Sequence, residues 1–373
     1  MLKRESILKN ISGLFLVISL LGILQTVSSC NANKTEKEVI DKELMIKVPE
    51  SELYVRVRGN PANPVIINLH GGPGGYSGID IKLMGPGLED NYLVAYFDQR
   101  GCGKSLAYSD TARLTVEQYI QDLDIVIDSL MKRYNKKHVN LVGSSWGGMY
   151  GFLYMLSNQE KIKSFACIDG KANSHYQNHS LIDYETEKAN ALLQTTSSDS
   201  IKNELKSIIS ELKRIKESNF EHFHKDVNWM KHEVPPKLGF NAYFADTSKI
   251  ISFKDVLRDT AVMKLMKYSE EEYTEVGKKA EIVNQAFRNN AEYNNMNIEE
   301  ELAHIKTPTA VIQGDQDFVV GTEHAELIYN ALSALSAEQK ELHIIPETGH
   351  CPAIESPDRL AEILNVFFEK HNE

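Results

Sequence analysis

Gly143-Ser144-Ser145-Trp146-Gly147 sets a serine two residues from a glycine on either side. A serine hydroxyl becomes a nucleophile only when a base takes its proton, and the base needs an acid to orient it. The G-x-S-x-G pattern serves that chemistry only on a sharp strand-to-helix turn. The apolar run Val139–Val142 precedes it and the helical pattern Met149–Leu156 follows it. Such a turn lifts the Ser145 hydroxyl out of the sheet and aims the Trp146 N–H at a developing oxyanion. The candidate base is His350 in Gly349-His350, just past the run Leu342–Ile345. The candidate acids are Asp315 and Asp317 in Gln313-Gly314-Asp315-Gln316-Asp317, with Asp317 preferred; Asp169, after Ile162–Ile168, is the fallback. His70-Gly71-Gly72-Pro73-Gly74-Gly75 follows Val65–Leu69. Glycines there let backbone N–H groups approach a ligand closely, so Gly71 or Gly72 is expected to give the second oxyanion donor. One positioned donor is worth ~3–4 kcal/mol of transition-state stabilisation.

The elements that must hold these groups are short apolar or β-branched runs: Val65–Leu69, Tyr92–Phe97, His138–Val142, Ile162–Ile168, Thr309–Ile312 and Leu342–Ile345. Continuous apolar strands point to a parallel sheet buried on both faces. Glu43–Val48 and Glu52–Val57 alternate around a turn and read as an opening antiparallel pair. Thr115–Tyr134 carries apolar residues at three- and four-residue spacing, with Thr115 and Gln118 placed for a capping box. Glu323–Leu335 and Asp358–His371 read as further helices. The alternation of strand and helix gives an α/β doubly wound fold. It stops across residues 171–304, which are polar and helical in pattern (Ser180–Leu193, Ser200–Ser218, Phe253–Lys267, Glu270–Asn289) and interrupted by Pro235-Pro236. The expected organisation is therefore a core in two parts, 44–170 and 305–373, with a helical cap inserted at 171–304.

His70-Gly71-Gly72-Pro73-Gly74, Asp98-Gln99-Arg100-Gly101-Cys102-Gly103-Lys104-Ser105, Gly143-x-Ser145-x-Gly147, Gly314-x-x-Asp317 and Gly349-His350 stand in an order and spacing that resembles the proline iminopeptidase family of α/β-hydrolases. The resemblance covers about residues 44–170 and 305–368. It implies a mostly parallel sheet with helices on both faces, a helical cap, and a Ser145–Asp317–His350 triad with the oxyanion held near Gly71, Gly72 and Trp146. It also implies an aminopeptidase releasing N-terminal proline, in which cap acids hold the free amine. Glu185 and Glu233 are the cap acids considered for that task. Esterases, lactonases and amidases share the same core, so a non-peptide small molecule is the alternative substrate, and a non-catalytic binding protein is a third reading. No cofactor is expected.

Met1–Asn10 carries Lys3, Arg4 and Lys9, and Ile11–Leu24 is an apolar stretch too short to span a ~30 Å hydrocarbon core comfortably. Val27-Ser28-Ser29-Cys30 looks like a bacterial lipobox, which implies a signal peptide over 1–29, lipidation at Cys30, a polar tether over 30–43 and an exported protein anchored to the membrane of the cell envelope. The alternative is an ordinary cleaved signal peptide. Cys102, Cys167 and Cys351 read as buried small residues, with a Cys102–Cys351 bridge as the alternative.

The chain has 373 residues, is 42% hydrophobic and 25% charged, and carries a net charge of −11. That excludes disordered, collagenous and multi-span membrane classes and argues against nucleic acid as the main partner. Gly103-Lys104-Ser105 does not complete a phosphate-binding loop, because position 98 is Asp. Asp98 and Arg100 are expected to tie down the loop after a strand. His222, His224 and His232 lack partners at ligand spacing, so no metal is expected.

Overall fold

A computed structural model describes residues 39–105, 111–220, 222–246 and 260–372. The signal peptide and Cys30 lie outside them, as do residues 253–259 of one expected cap helix. Ile40–Glu373 forms one compact unit.

The strands are β1 (Ile40–Val48), β2 (Ser51–Gly59), β3 (Val65–Leu69), β4 (Leu93–Phe97), β5 (Val139–Ser144), β6 (Ile162–Ile168), β7 (Thr309–Gly314) and β8 (Lys340–Ile345). They lie in the order β1-β2-β4-β3-β5-β6-β7-β8. β1 and β2 are antiparallel, β2 meets β4 antiparallel, and every later pair is parallel. The apolar runs are continuous for a physical reason: helices cover both faces, so every residue of β3 and β4 is buried. β1 starts at Ile40, inside the segment expected as tether. Its early residues are held there because Asp41 forks the buried Arg56 of β2, with both contacts at 2.7 Å.

The helices that frame the sheet and the site are α1 (Gly78–Leu83), α2 (Val116–Tyr134), α3 (Trp146–Asn158), α4 (Ser174–Thr195), α5 (Asp199–Glu217), α6 (Phe223–Asn228), α7 (Thr260–Met266), α8 (Glu270–Arg288), α9 (His324–Ala331) and α10 (Pro357–Asn372). α2 turns Leu123, Val126, Ile127 and Leu130 into the core, each such burial being worth ~1.5–3 kcal/mol. The Thr115 side chain accepts from the Gln118 N–H, but the expected reciprocal half of the box is not made. The Gln118 amide instead donates to Asp122 at 3.2 Å, because that carboxylate is fixed one turn along. Helices α4 to α8 all fall between β6 and β7. α4 and α5 pack through Leu181, Ile182, Leu205, Ile208 and Leu212, a core separate from that under the sheet. α6 runs on through a π-helical turn, Trp229–Glu233.

Candidate active site

β5 delivers Ser145 at its C-terminal end, and α3 begins at the next residue. Ser145 has φ 55° and ψ −115°, a left-handed conformation that non-glycine residues avoid. The turn is over-determined by its neighbours. A Cβ on Gly143 would strike the Gly147 carbonyl, and one on Gly147 would strike the Leu69 carbonyl. The Ser145 N–H donates to the Ile168 carbonyl at 2.8 Å, which locks the turn to β6.

Ser145 Oγ stands 3.0 Å from His350 Nε2, and His350 Nδ1 stands 2.9 Å from Asp317 Oδ2. The Asp317 carboxylate accepts from Nδ1–H, which leaves Nε2 with a lone pair facing the serine hydroxyl. Asp317 is fully buried. Its other oxygen accepts from the Val319 and Val320 N–H groups at 2.9 and 3.2 Å. Asp315 is exposed and instead accepts from the Thr348 N–H in the adjoining loop. The His350 N–H donates to the Tyr243 carbonyl at 2.8 Å, so a segment from between β6 and β7 holds the base from above.

Asp169 is buried beside this chain of contacts, and its Oδ1 accepts from the Gly314 N–H at 3.2 Å. Its second oxygen has no hydrogen-bond partner. Burial first, and the charge of Asp317 second, hold its pKa well above the ordinary carboxylate value. Asp169, Asp317 and His350 bring their polar atoms within 4.8 Å of one another. His350 Nδ1 is already engaged by Asp317, and a histidine bonded on both nitrogens is a poor cation ligand. The residues present fit proton transfer better than metal binding. His222 and His232 are exposed and lie outside this cluster, and the His224 side chain lies outside the described residues.

The glycine loop is fixed from beneath. The Gln99 N–H donates to His70 Nε2 at 3.1 Å, so Nδ1 carries the proton and donates to the Gly71 carbonyl at 2.8 Å. Burial lowers the pKa of this imidazole. A Cβ on Gly71 would lie 3.6 Å from Ser145 Cβ, so this residue borders the nucleophile. Gly72 has φ 138°, and a Cβ there would strike the Gly74 and Gly75 amide nitrogens at 2.6 and 2.7 Å. Trp146 is the first residue of α3, where backbone N–H groups have no intrahelical acceptor. Asp98 and Arg100 do tie down the loop after β4. Asp98 accepts from Ser77 N–H and Oγ and from the Lys104 N–H, each at 2.7 Å. Arg100 forks Asp122 with both contacts at 2.6 Å, fully buried.

A cavity of about 530 Å³ opens over Ser145 and His350, in the size range of small-molecule sites. Glu185 and Glu233 do not line it. Glu233 is exposed, and Glu185 is buried within α4 with neither carboxylate oxygen hydrogen-bonded. The carboxylates that do line it are Asp80 and Asp169. Asp80 accepts from Asn68 at 2.6 Å, and burial pushes its pKa up to about 7. Lys171, Lys231, Arg288 and Tyr243 line the cavity as well. None stands out in the sequence, because each comes from a different segment of a lysine-rich region. Cys102 and Cys167 are buried and free; Cys351 is also free but only partly buried, and it lines the cavity.

A family model described as alpha/beta hydrolase fold matches residues 64–357. A proline iminopeptidase of Pestalotiopsis fici is 24% identical over 330 residues, spanning 87% of this chain and 99% of its own. A proline iminopeptidase of Lactobacillus helveticus is 35% identical over 106 residues, 28% of this chain and 35% of that one. Among solved structures, a proline iminopeptidase-related protein from Thermus thermophilus superposes with a TM-score of 0.58 at 20% identity, covering 89% of this chain and 98% of that one. A 2-hydroxy-6-oxo-6-phenylhexa-2,4-dienoate hydrolase from Rhodococcus sp. strain RHA1 superposes with a TM-score of 0.56 at 16% identity, covering 89% of this chain and 99% of that one.

Proposed function

The chain belongs to the alpha/beta hydrolase fold family and is proline iminopeptidase-like, and from that premise we propose that it is a serine hydrolase working through an acyl-enzyme. The observation that carries this reading is the unbroken line Ser145 Oγ–His350 Nε2, 3.0 Å, and His350 Nδ1–Asp317 Oδ2, 2.9 Å. Ser145 attacks the substrate carbonyl while His350 takes its proton, and Asp317 stabilises the imidazolium. The N–H groups of Trp146 and of Gly71, with Gly72 next to it, receive the oxyanion. His350 returns the proton to the leaving group, and water activated by the same base then releases the acyl group from Ser145.

Two substrate readings follow. The relatives' names support an aminopeptidase releasing N-terminal proline. In that reading Asp80, at the cavity wall, is the carboxylate available to the free amine. The second reading, an esterase, lactonase or amidase on a small molecule, is favoured by the lysines and arginine lining the cavity and by the absence of Glu185 and Glu233 from it. Hydrolysis of prolyl arylamide, aryl esters and lactones, with Ser145→Ala as control, separates them. Ser145-dependent prolyl release supports the first; ester or lactone turnover without prolyl release supports the second.

We also propose export and anchoring through a lipidated Cys30, on the strength of the basic, apolar and Val27-Ser28-Ser29-Cys30 segments. Among the described residues no helix is long and apolar enough to cross a membrane. Metabolic labelling with a fatty acid tests the anchor: label lost in Cys30→Ala supports it, and an unlabelled wild-type chain removes it.

A further inference from the structure

Lys171, Lys231 and Arg288 line the cavity that contains Ser145. They come from three places: the loop that leaves β6 beside Asp169, the π-helical turn after α6, and the last residue of α8. Lys171 is only 9% exposed. Its ammonium sits 4.4 Å from the Tyr293 ring centroid and 3.1 Å from Ser174 Oγ. Its loop is pinned by His324, whose Nε2 accepts from the Ala172 and Asn173 N–H groups at 3.0 and 3.3 Å. Among the described residues no carboxylate forms an ion pair with Lys171, Lys231 or Arg288. An ammonium removed from water without a counter-ion is costly, and such groups are normally paired.

The cavity's own acids do not supply the counter-charge. Neither Asp169 nor Asp80 forms an ion pair with these cations, and burial, joined at Asp169 by the charge of Asp317, raises the pKa of both carboxyls. Burial, and then the charge of Lys231, lower the Lys171 pKa to about 7. Burial lowers that of Lys231 to about 8, with Asp317 opposing it. Burial thus disfavours the charged form of each ammonium, and a bound anion would favour it.

We propose that the cavity binds a carboxylate-bearing substrate, with Lys171 and Lys231 holding the carboxylate inside and Arg288 at the outer edge, while Ser145 attacks a carbonyl elsewhere on the same molecule. This inference rests on the serine-hydrolase reading only for the position of the scissile bond. The carboxylate has two chemical sources, the C-terminus of a dipeptide or the acid group of a non-peptide ester or amide.

Calorimetric titration of the intact chain carrying Ser145→Ala tests it with two matched pairs: prolyl-alanine against prolyl-alaninamide, and hexanoate against hexanamide. The expected result is at least ten-fold tighter binding of the acid in one pair or both, and the responding pair identifies the source. Lys231→Gln should bring the ratio to about one, and Arg288→Gln, at an exposed residue, should lower it without touching the interior. Equal binding of acid and amide in both pairs overturns the proposal, as does a preference that survives both substitutions. The hydrolase reading fails separately: a wild-type chain that a neutral fluorophosphonate does not label at Ser145, yet binds the acids through Lys231, keeps the anion site and removes the hydrolase.

Discussion

Gln99 Oε1 accepts a hydrogen bond from Trp146 Nε1–H at 2.8 Å, while Gln99 Nε2 donates to the His70 carbonyl at 2.9 Å. One buried amide therefore spans the glycine loop and the start of α3, the two backbone segments assigned to the oxyanion. Their spacing is set by a side chain that does not line the cavity.

Gln99→Ala is expected to lower kcat roughly ten-fold or more with KM changed less than about three-fold, since one oxyanion donor is worth about 10²–10³ and Gln99 acts only through position. Steady-state kinetics on an aryl ester reads this directly. A change confined to KM would contradict a positioning role.

The two buried aspartates should separate cleanly. Asp317→Asn removes the acceptor that fixes Nδ1–H, and kcat should fall by roughly 10³–10⁴. His350 Nδ1 is bonded to Asp317 and not to Asp169, whose pKa burial and the charge of Asp317 raise, so Asp169→Asn should cost less than about ten-fold in kcat. Comparing kcat for the two variants decides which carboxyl orients His350.

Glu185 carries a pH signature. Burial raises its pKa to about 9 from 4.5, so the folded chain keeps a proton that the unfolded chain releases. The folded state binds more protons between these values, and stability falls as pH rises through that window. At pH 8 the penalty is on the order of 3 kcal/mol, taking 1.36 kcal/mol per unit and discounting for relaxation. Glu185→Gln should raise Tm relative to wild type at pH 8 and give a smaller gain at pH 5. An equal difference at both values would contradict a buried, protonated Glu185.

Much of this is legible in the sequence because parallel strands covered on both faces leave continuous apolar runs. The runs begin and end within two residues of the observed strands, and the motif residues at their ends converge as spacing implies. Leu342–Ile345 falls short at its start, because β8 opens with Lys340 and Glu341 at the sheet edge, where polar residues are tolerated. α1, six residues long, gives no periodicity to read. Gln118 reads as a cap partner because local spacing cannot show that Asp122, held by Arg100, takes its amide. The cavity's charge is hidden for the same reason. Lys171, Lys231 and Arg288 are far apart in the chain and look like any solvated lysine or arginine until α8 and the π-helical turn bring them together.

The proposed reaction turns on Ser145 as the nucleophile, activated by His350. Incubating the purified chain with a neutral fluorophosphonate and mapping the adduct by peptide mass spectrometry tests it most directly. One label per chain, on Ser145, lost in Ser145→Ala and slowed at least ~10²-fold in His350→Ala, is the expected result. A label on another residue, or equal labelling of the Ser145→Ala chain, would contradict it.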